Sequence, residues 1–476
     1  MFFRARRGVL QPARAPAGAV ALTTLACQGA QSAQERPAER RGNAPAEHRA
    51  ATGEPVGAGR VPNVVVIVTD DQRLGSLRVM PRTRRWFRRG GTQFTNAFAT
   101  TPLCCPSRAS IFTGMYAHNH GVLRNRLGPR MDTGVTMQRV LEDAGYHTAI
   151  AGKYLQGVEL KQDPPHFEDW RTMKVGYEDI YYNANGSLRR IAGYSTAVLG
   201  RFARRWVTRL ESNDRDPWFL YIAPYAPHQP FTPAPEHAGA PLPRLRSSPA
   251  MRERDRSDKP SFVRRQSYDP RAGRAVLEAQ LRTLISVDEL VGRLFRTLRR
   301  AGEARDTLAF FLSDNGFMLG EHGLYGKRLP YTMSAGIPLL MRWPGRVARG
   351  VRDRRLAANI DVAATVFDAA GAAPPRAPDG RSLLSSHRRS RILLEEYENG
   401  VRGLPDWAAL RSRTWHYVEY IGADDDVVAR EYYDLVKDPW LLENLLGDGD
   451  PSNDPDVAAL SRELASVASC EGEACP

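Results

Sequence analysis

Five consecutive residues, Cys104-Cys105-Pro106-Ser107-Arg108, hold the densest set of reactive groups in the chain. Neighbouring cysteines do not pair readily with each other, and a proline interrupts a helix that continues through it. Four places after the first thiol, Arg108 adds a fixed cation. A small nucleophile beside an anion-binding fork is the chemistry that these types and this spacing allow. Two further sets follow β-branched or apolar runs. Asp70-Asp71 comes after Asn63-Val64-Val65-Val66-Ile67-Val68-Thr69, and Asp314-Asn315-Gly316 comes after Leu308-Ala309-Phe310-Phe311-Leu312-Ser313. Adjacent carboxylates at such an end either face water in a turn or are neutralised by a cation or by hydrogen-bond donors. Four oxygen-bearing side chains from two strand ends suit Ca²⁺, with Mg²⁺ as the alternative, whereas zinc favours His and Cys. Lys153 after Gly152 and Lys327 after Gly326 each read as a surface lysine or as an anion contact. His228, in Pro224-Tyr225-Ala226-Pro227-His228-Gln229-Pro230, is held in a stiff loop as a general acid or as a loop residue with satisfied hydrogen bonds.

Gathering these groups takes an α/β architecture. Continuous apolar runs predict strands buried on both faces, and in open α/β sheets ligands collect at the carboxyl ends of strands. The same pattern predicts strands over residues 146–151, 218–223 and 337–341, and helical spacing predicts helices over 136–144 and 275–301. Residues 236–272, rich in Pro, Arg, Ser and Asp, read as a long surface excursion. From about Arg391 the pattern changes to a smaller α+β unit, with strand alternation at 415–420 and a helix over 456–467 preceded by Pro455. The expected division is 61–390 for the large domain and 391–476 for the small one.

At 476 residues the chain can bury a large core, and its 42% hydrophobic and 25% charged fractions are those of a globular protein. No apolar window of about 18 residues or more appears, so no membrane span is expected. The net charge of +14 comes mostly from arginine. It permits a polyanionic substrate, but the arginine runs lack the interleaved aromatics of a nucleic-acid module. Residues 1–26 read as an export signal, with Arg4, Arg6 and Arg7 ahead of an apolar stretch, and residues 27–60 as a disordered tether. Arg6-Arg7 resembles a twin-arginine signal, and Thr24-Leu25-Ala26-Cys27 resembles a bacterial lipoprotein box with Cys27 as the lipidated residue. The expected location is therefore secreted, periplasmic or on the cell surface. Cys470 and Cys475 flank Glu-Gly-Glu-Ala, a loop that a disulfide could close in an oxidising compartment.

Cys-x-Pro-Ser-Arg at 104–108 resembles the signature of the formylglycine-dependent sulfatases. The resemblance extends over Asn63 to Leu446 in the expected motif order. His118-Asn119-His120, Gly152-Lys153-Tyr154-Leu155, Ala226-Pro227-His228 and Ser257-Asp258-Lys259-Pro260 are most similar to the N-acetylglucosamine-6-sulfatase group. The resemblance implies an alkaline-phosphatase-like fold, a large mixed and mostly parallel sheet flanked by helices with a smaller C-terminal α+β subdomain. It also implies conversion of Cys104 to Cα-formylglycine by a formylglycine-generating enzyme, and a Ca²⁺ held by Asp70, Asp71, Asp314 and Asn315. Arg108, Lys153 and Lys327 would face the sulfuryl oxygens, His228 would protonate the leaving alcohol, and the substrate would be a sulfated carbohydrate or a small sulfate ester. Leu155 stands where many sulfatases carry a histidine, which leaves His118 as the substitute base and His322 as its runner-up. After Lys327, the Tyr331-Thr332-Met333 stretch and Gly336 also depart from the family pattern. An arylsulfatase, a phosphonate or phosphodiester hydrolase of the same superfamily, and a non-catalytic binder of sulfated glycans are the alternatives.

Overall fold

The run at 63–69 is the centre of the molecule because neither of its faces is polar. In the computed structural model, which describes residues 61–213, 216–397 and 403–476, it forms strand β1 (Asn63–Thr69), buried at every position. Val64, Val66 and Val68 enter one apolar cluster, while Val65 and Ile67 enter the other on the opposite face. The expected export signal, the tether and Cys27 lie outside the described residues.

The remaining strands of the large sheet are β2 (Thr92–Phe98), β3 (His147–Gly152), β4 (Asp169–Met173), β5 (Tyr181–Ala184), β6 (Ser187–Arg190) and β7 (Trp218–Ala223), followed by β8 (Thr307–Ser313). After a two-stranded hairpin of β9 (Met318–Leu319) and β10 (Tyr325–Gly326) come β11 (Leu339–Arg342) and β12 (Val351–Ala358). The ten-stranded sheet has the order β12-β2-β11-β8-β1-β7-β3-β4-β5-β6. Pairing is parallel across its middle, from β8 through β1, β7 and β3 to β4, and antiparallel where β11 meets β2 and β8. The sheet is thus mixed and mostly parallel, as expected. Helices Cys104–Thr113, Met137–Asp143 and Asp361–Ala370 contribute to the first cluster, and Ser195–Asn213 and Pro270–Ala301 to the second.

The long helix begins five residues before the apolar period suggests, because Asp269 caps it by accepting from the Arg271 amide at 2.8 Å and Pro270 takes the first turn. Pro106 likewise corrects the reading that it interrupts a helix. It lies in the first turn of Cys104–Thr113, where a missing N–H costs no internal bond.

A second sheet of β13 (Arg391–Glu396), β14 (Asp406–Ser412), β15 (Trp415–Ile421) and β16 (Val427–Asp434) is wholly antiparallel and is followed by helix Val457–Val467. It shares a third apolar cluster with the large sheet, in which Trp407, Tyr417 and Tyr420 pack with Phe98, Tyr116 and Tyr331. The excursion at 236–272 is pinned across this seam. Lys259, only 2% exposed, donates to Asp258 at 2.6 Å and to the Leu442 carbonyl at 2.7 Å, and Asp258 accepts from the Asn444 amide at 2.6 Å. Cys470 and Cys475 form a disulfide.

Candidate active site

Register in the parallel strands brings residues that are far apart in sequence to one edge. β1 and β8 align Thr69 with Ser313, so Asp70 and Asp314 leave the sheet side by side. β3 and β7 align Gly152 with Ala223, which sets Lys153 beside the turn that carries His228. The Cys104–Thr113 helix starts at the same edge, its Ser107 hydroxyl donating to the Asp314 carbonyl. The β9–β10 hairpin brings Lys327 in from the side. The contacts between these residues gather Asp70, Asp71, Cys104, Arg108, Lys153, His228, Asp314, Asn315 and Lys327 into one site.

Asp70, Asp71, Cys104, Arg108, Asp314 and Asn315 are each at most 1% exposed. The Cys104 Sγ lies 3.3 Å from Asp70 Oδ1 and 3.9 Å from Asp71 Oδ1, and Lys327 Nζ reaches it at 2.7 Å. Lys327 also pairs with Asp71, and Lys153 with Asp70. Arg108 contacts Asp314 Oδ2 at 2.9 Å through both Nε and Nη2, and donates from Nη1 to the Lys153 carbonyl at 3.2 Å. Its Nε and Nη1 are thus taken by the protein, whereas Nη2, though close to Asp314, has no hydrogen-bond acceptor among the described residues. Asp71 has a positive φ of 67°, uncommon for a residue with a side chain, and its amide donates to Asp314 Oδ1 at 3.1 Å. That turn lets both members of the Asp-Asp pair face inward instead of one facing solvent. His228 Nε2 stands 3.6 Å from Asp71 Oδ2, and its Nδ1 lies 2.8 Å from the Gln229 carbonyl, which fixes the ring. With 21% of its side chain exposed, it lies at the outer side of the group.

Three carboxylates meet three cations here, so the buried cluster is balanced. Burial pushes the Asp70 carboxyl up, but Lys153, His228, Arg108 and Lys327 outweigh it and hold the group well below the usual range. Asp314 is pushed up by burial and by the charge of Asp70, against Arg108. Burial followed by Asp70 raises the Cys104 thiol, and burial raises that of Cys105 to about 11. Lys327 and Lys153 are held protonated, because Asp71 and Asp70 overcome the burial that opposes their charge.

The donor set fits a hard cation. Ligand atoms of Asp70, Asp71, Cys104 and His228 lie within 4.8 Å of one another. The Asn315 amide nitrogen donates to Asp71 at 2.7 Å, which leaves its oxygen turned toward Lys327 at 3.4 Å and into the cluster. Asp70, Asp71 and the Asn315 oxygen are donors of the kind that Ca²⁺ or Mg²⁺ takes, while both Asp314 oxygens accept from the protein, Oδ1 from the Asp71 and Asn315 amides and Oδ2 from Arg108.

His118 departs from its expected place. Its Nδ1 is 2.9 Å from Glu395 Oε2 and its Nε2 is 2.9 Å from the Cys470 carbonyl, so the ring is bound to the second sheet and the C-terminal segment instead of the nucleophile. The reason is the chain path: the helix that begins at Cys104 ends at Thr113, and a separate turn, Ala117–His120, carries His118 away. His322 is also engaged elsewhere, with Nδ1 2.8 Å from Glu253 and its ring stacked on Tyr331 at 4.5 Å.

Three features were absent from the sequence reading. Asn359, fully buried, accepts from the Thr100 amide at 3.0 Å and donates to the Ser107 hydroxyl at 2.9 Å, bracing the start of the Cys104 helix. It follows β12 directly, the same strand-end signal that marks Asp314. Asn125 accepts from the Cys105 amide at 3.0 Å. An aromatic row runs from Phe231, three residues after His228, through Phe317 to Tyr325, two residues before Lys327.

Strand ends, a helix start and a hairpin thus bring a buried thiol, carboxylates and cations to one edge of an α/β sheet, and the chain belongs to the sulfatase family. The Sulfatase family pattern matches residues 62–372, and that of the N-sulphoglucosamine sulphohydrolase C-terminal region matches residues 320–469. Human N-acetylglucosamine-6-sulfatase is 30% identical over 493 residues, spanning 88% of this chain and 87% of the human protein. An extracellular sulfatase Sulf-1 homolog of Caenorhabditis elegans is 34% identical over 68% of this chain, which spans only 48% of that relative's length. The solved structure of BT4656 in complex with its substrate D-glucosamine-2-N,6-O-disulfate shares the fold at a TM-score of 0.76 and 22% identity, covering 85% of this chain and 97% of BT4656. Among the described residues, no helix is long and apolar enough to cross a membrane.

Proposed function

We propose that the protein hydrolyses sulfate esters of glycans outside the cytoplasm, with the 6-O-sulfate of N-acetylglucosamine or a related sulfated sugar as substrate, through a formylglycine at position 104 and a bound Ca²⁺. One observation carries the reading: the reactive atom of residue 104 stands within 4 Å of two carboxylates and 2.7 Å from a lysine ammonium, where a metal, a nucleophile and an anion would all have to meet. Support for a sulfated glucosamine comes from the human relative and from the substrate in the BT4656 complex.

A formylglycine at position 104 would supply, as its hydrate, an attacking hydroxyl and a second hydroxyl for release of sulfate, and a bound cation would supply acidification of the first and an offset of negative charge. Asp70, Asp71, Asp314 and Asn315 would hold that cation. Lys327 and Lys153, each buried and protonated, bind the sulfuryl oxygens and stabilise the charge that builds on them as the ester bond stretches. Arg108 keeps Asp314 and the Lys153 backbone in register with them. His228, fixed through Nδ1 and more open to solvent than its neighbours, gives a proton from Nε2 to the departing sugar oxygen.

Turnover of N-acetylglucosamine 6-sulfate, an aryl sulfate and an aryl phosphonate under one set of conditions tests the assignment. The sugar sulfate should have the highest kcat/KM. A preference for the phosphonate would replace the sulfatase reading with the phosphonate-hydrolase one, and binding of sulfated sugar without turnover of any ester would favour a non-catalytic binder.

A further inference from the structure

Helix Ser195–Asn213 carries Arg201, Arg205 and Arg209 at four-residue spacing, so all three share one stripe that is about 12 Å long. All three are exposed, and like charges at this spacing disfavour a helix unless something else uses them. Beside the stripe, Arg293 and Arg296 project from helix Pro270–Ala301 toward Arg204, whose own charge is disfavoured first by burial and then by Arg293, Arg201, Arg296 and Arg205. Few carboxylates answer them. Glu289 pairs with Arg293 at 3.0 Å and Asp169 with Arg209, but Arg201, Arg205, Arg296, Arg299 and Arg300 have no carboxylate partner among the described residues.

The surface is also concave. Between the two helices lies a groove of about 500 Å³ lined by Arg201, Arg204, Arg205 and Arg209 with Thr208 and Thr297, and by no carboxylate. On the other side of the stripe a groove of about 260 Å³ is lined by Phe202, Trp206 and Arg171, whose guanidinium lies 4.9 Å above the Phe202 ring, and by one carboxylate, Asp169, which is taken up by Arg209 and the Trp206 indole. This face is separate from the Cys104 site. The helix starts beside the His228 loop, where the Tyr194 hydroxyl donates to the Thr232 carbonyl at 2.9 Å, and runs away from it to end just before β7, so the stripe leads from the site edge toward the opposite edge of the sheet.

We propose that this arginine stripe and its two grooves form a second binding surface for a sulfated polysaccharide, retaining a chain while one of its sugars occupies the Cys104 site. The identity of the occupant rests on the sulfated-glycan reading above. Several guanidinium forks with adjacent hydroxyls match the oxygens of successive sulfate groups. An anionic membrane is the poorer fit, since no large hydrophobic residue among those exposed in the described residues lies on either helix. A nucleic acid is poorer too, because Trp206 is 3% exposed and Arg171 covers Phe202, leaving no open aromatic face for bases.

The test uses the full chain with Cys104→Ala, so that binding is measured without turnover. Elution from immobilised heparin is compared for this protein, for the same protein carrying Arg201→Glu, Arg205→Glu and Arg296→Glu, and for one carrying Arg349→Glu, Arg352→Glu and Arg354→Glu. The last set makes the same change in net charge at exposed residues on edge strand β12 and just before it. The helix variant should elute at clearly lower salt, with the salt dependence of binding reduced by about three counterions, while the edge variant elutes like the parent. In the Cys104 background the helix variant should lose about tenfold or more in kcat/KM on a long sulfated chain and keep its value on a small sulfate ester. Equal losses for the two charge reversals, or none, would overturn the proposal, as would tighter binding of the parent to anionic vesicles or duplex DNA than to heparin. Retained heparin binding with no sulfatase activity would overturn the catalytic reading and leave the surface standing.

Discussion

Replacing Arg108 by alanine should separate the structural from the electrostatic part of the site. Arg108 is fully buried, and its guanidinium makes two 2.9 Å contacts to Asp314 Oδ2 and one 3.2 Å hydrogen bond to the Lys153 carbonyl. Its removal leaves Asp314 beside Asp70 with burial and like charge both opposing ionisation. Breaking a buried pair by deleting one partner costs about 3–5 kcal/mol, a large share of the roughly 5–15 kcal/mol that holds a protein folded. For a chain of this size, with a urea slope above about 3 kcal/mol per molar, the unfolding midpoint should fall by about 1 M. Arg108→Lys should recover part of that loss, because the charge stays near Asp314. It should recover little activity, because an ammonium cannot reach Asp314 and the Lys153 carbonyl together. Both variants would be followed by urea unfolding and by sulfate release. A midpoint within 0.3 M of the parent for Arg108→Ala, which would be about 1 kcal/mol, would refute the reasoning, since it would mean that Asp314 does not depend on Arg108.

His228→Gln should reduce kcat on a sugar sulfate by about 10²–10⁴-fold and on an aryl sulfate far less, because a phenol leaves without a proton; equal losses would remove His228 as the acid. For His118→Gln, stability should drop by roughly 1–3 kcal/mol with kcat little changed. Glu395 raises the His118 pKa against the opposing effect of burial, so this contribution is complete below about pH 6.5 and is lost as pH rises through the raised value. Glu395 is itself lowered, chiefly by His118 once burial is overcome, so a second loss occurs as pH falls through its depressed value. Unfolding of parent and variant across pH checks the window, and a difference that grows toward pH 9 contradicts it. Chelation followed by Ca²⁺ at about 100 times its Kd should restore about 2.7 kcal/mol of stability along with activity, and Asp71→Asn should weaken that response.

Much of the site was legible because its signals are local. A buried parallel strand demands an unbroken apolar run, and the polar residues that follow it must emerge at the carboxyl edge; Asp70, Asp314 and Lys153 were readable for that reason. Where the partner is distant, the sequence has no equivalent signal. His118 lies 14 residues after the nucleophile, yet its contacts are Glu395 and Cys470, 277 and 352 positions away. Asn359 was missed although it follows a strand, because Val351–Ala358 opens with alternating charge and reads as surface. Helix Ser195–Asn213 was missed as well, its apolar stripe diluted by the arginines that make its outer face. Edge strand β6 is exposed along its whole length and carries no burial pattern to read.

The central claim is that residue 104 works as an aldehyde. The most direct measurement is the mass of the peptide containing Cys104, taken from active protein produced with a formylglycine-generating enzyme. Loss of sulfur and two hydrogens with gain of one oxygen should lower that mass by about 18 Da, in proportion to specific activity across preparations. Full activity on sulfate esters from protein whose peptide keeps the mass of unmodified cysteine would contradict the account.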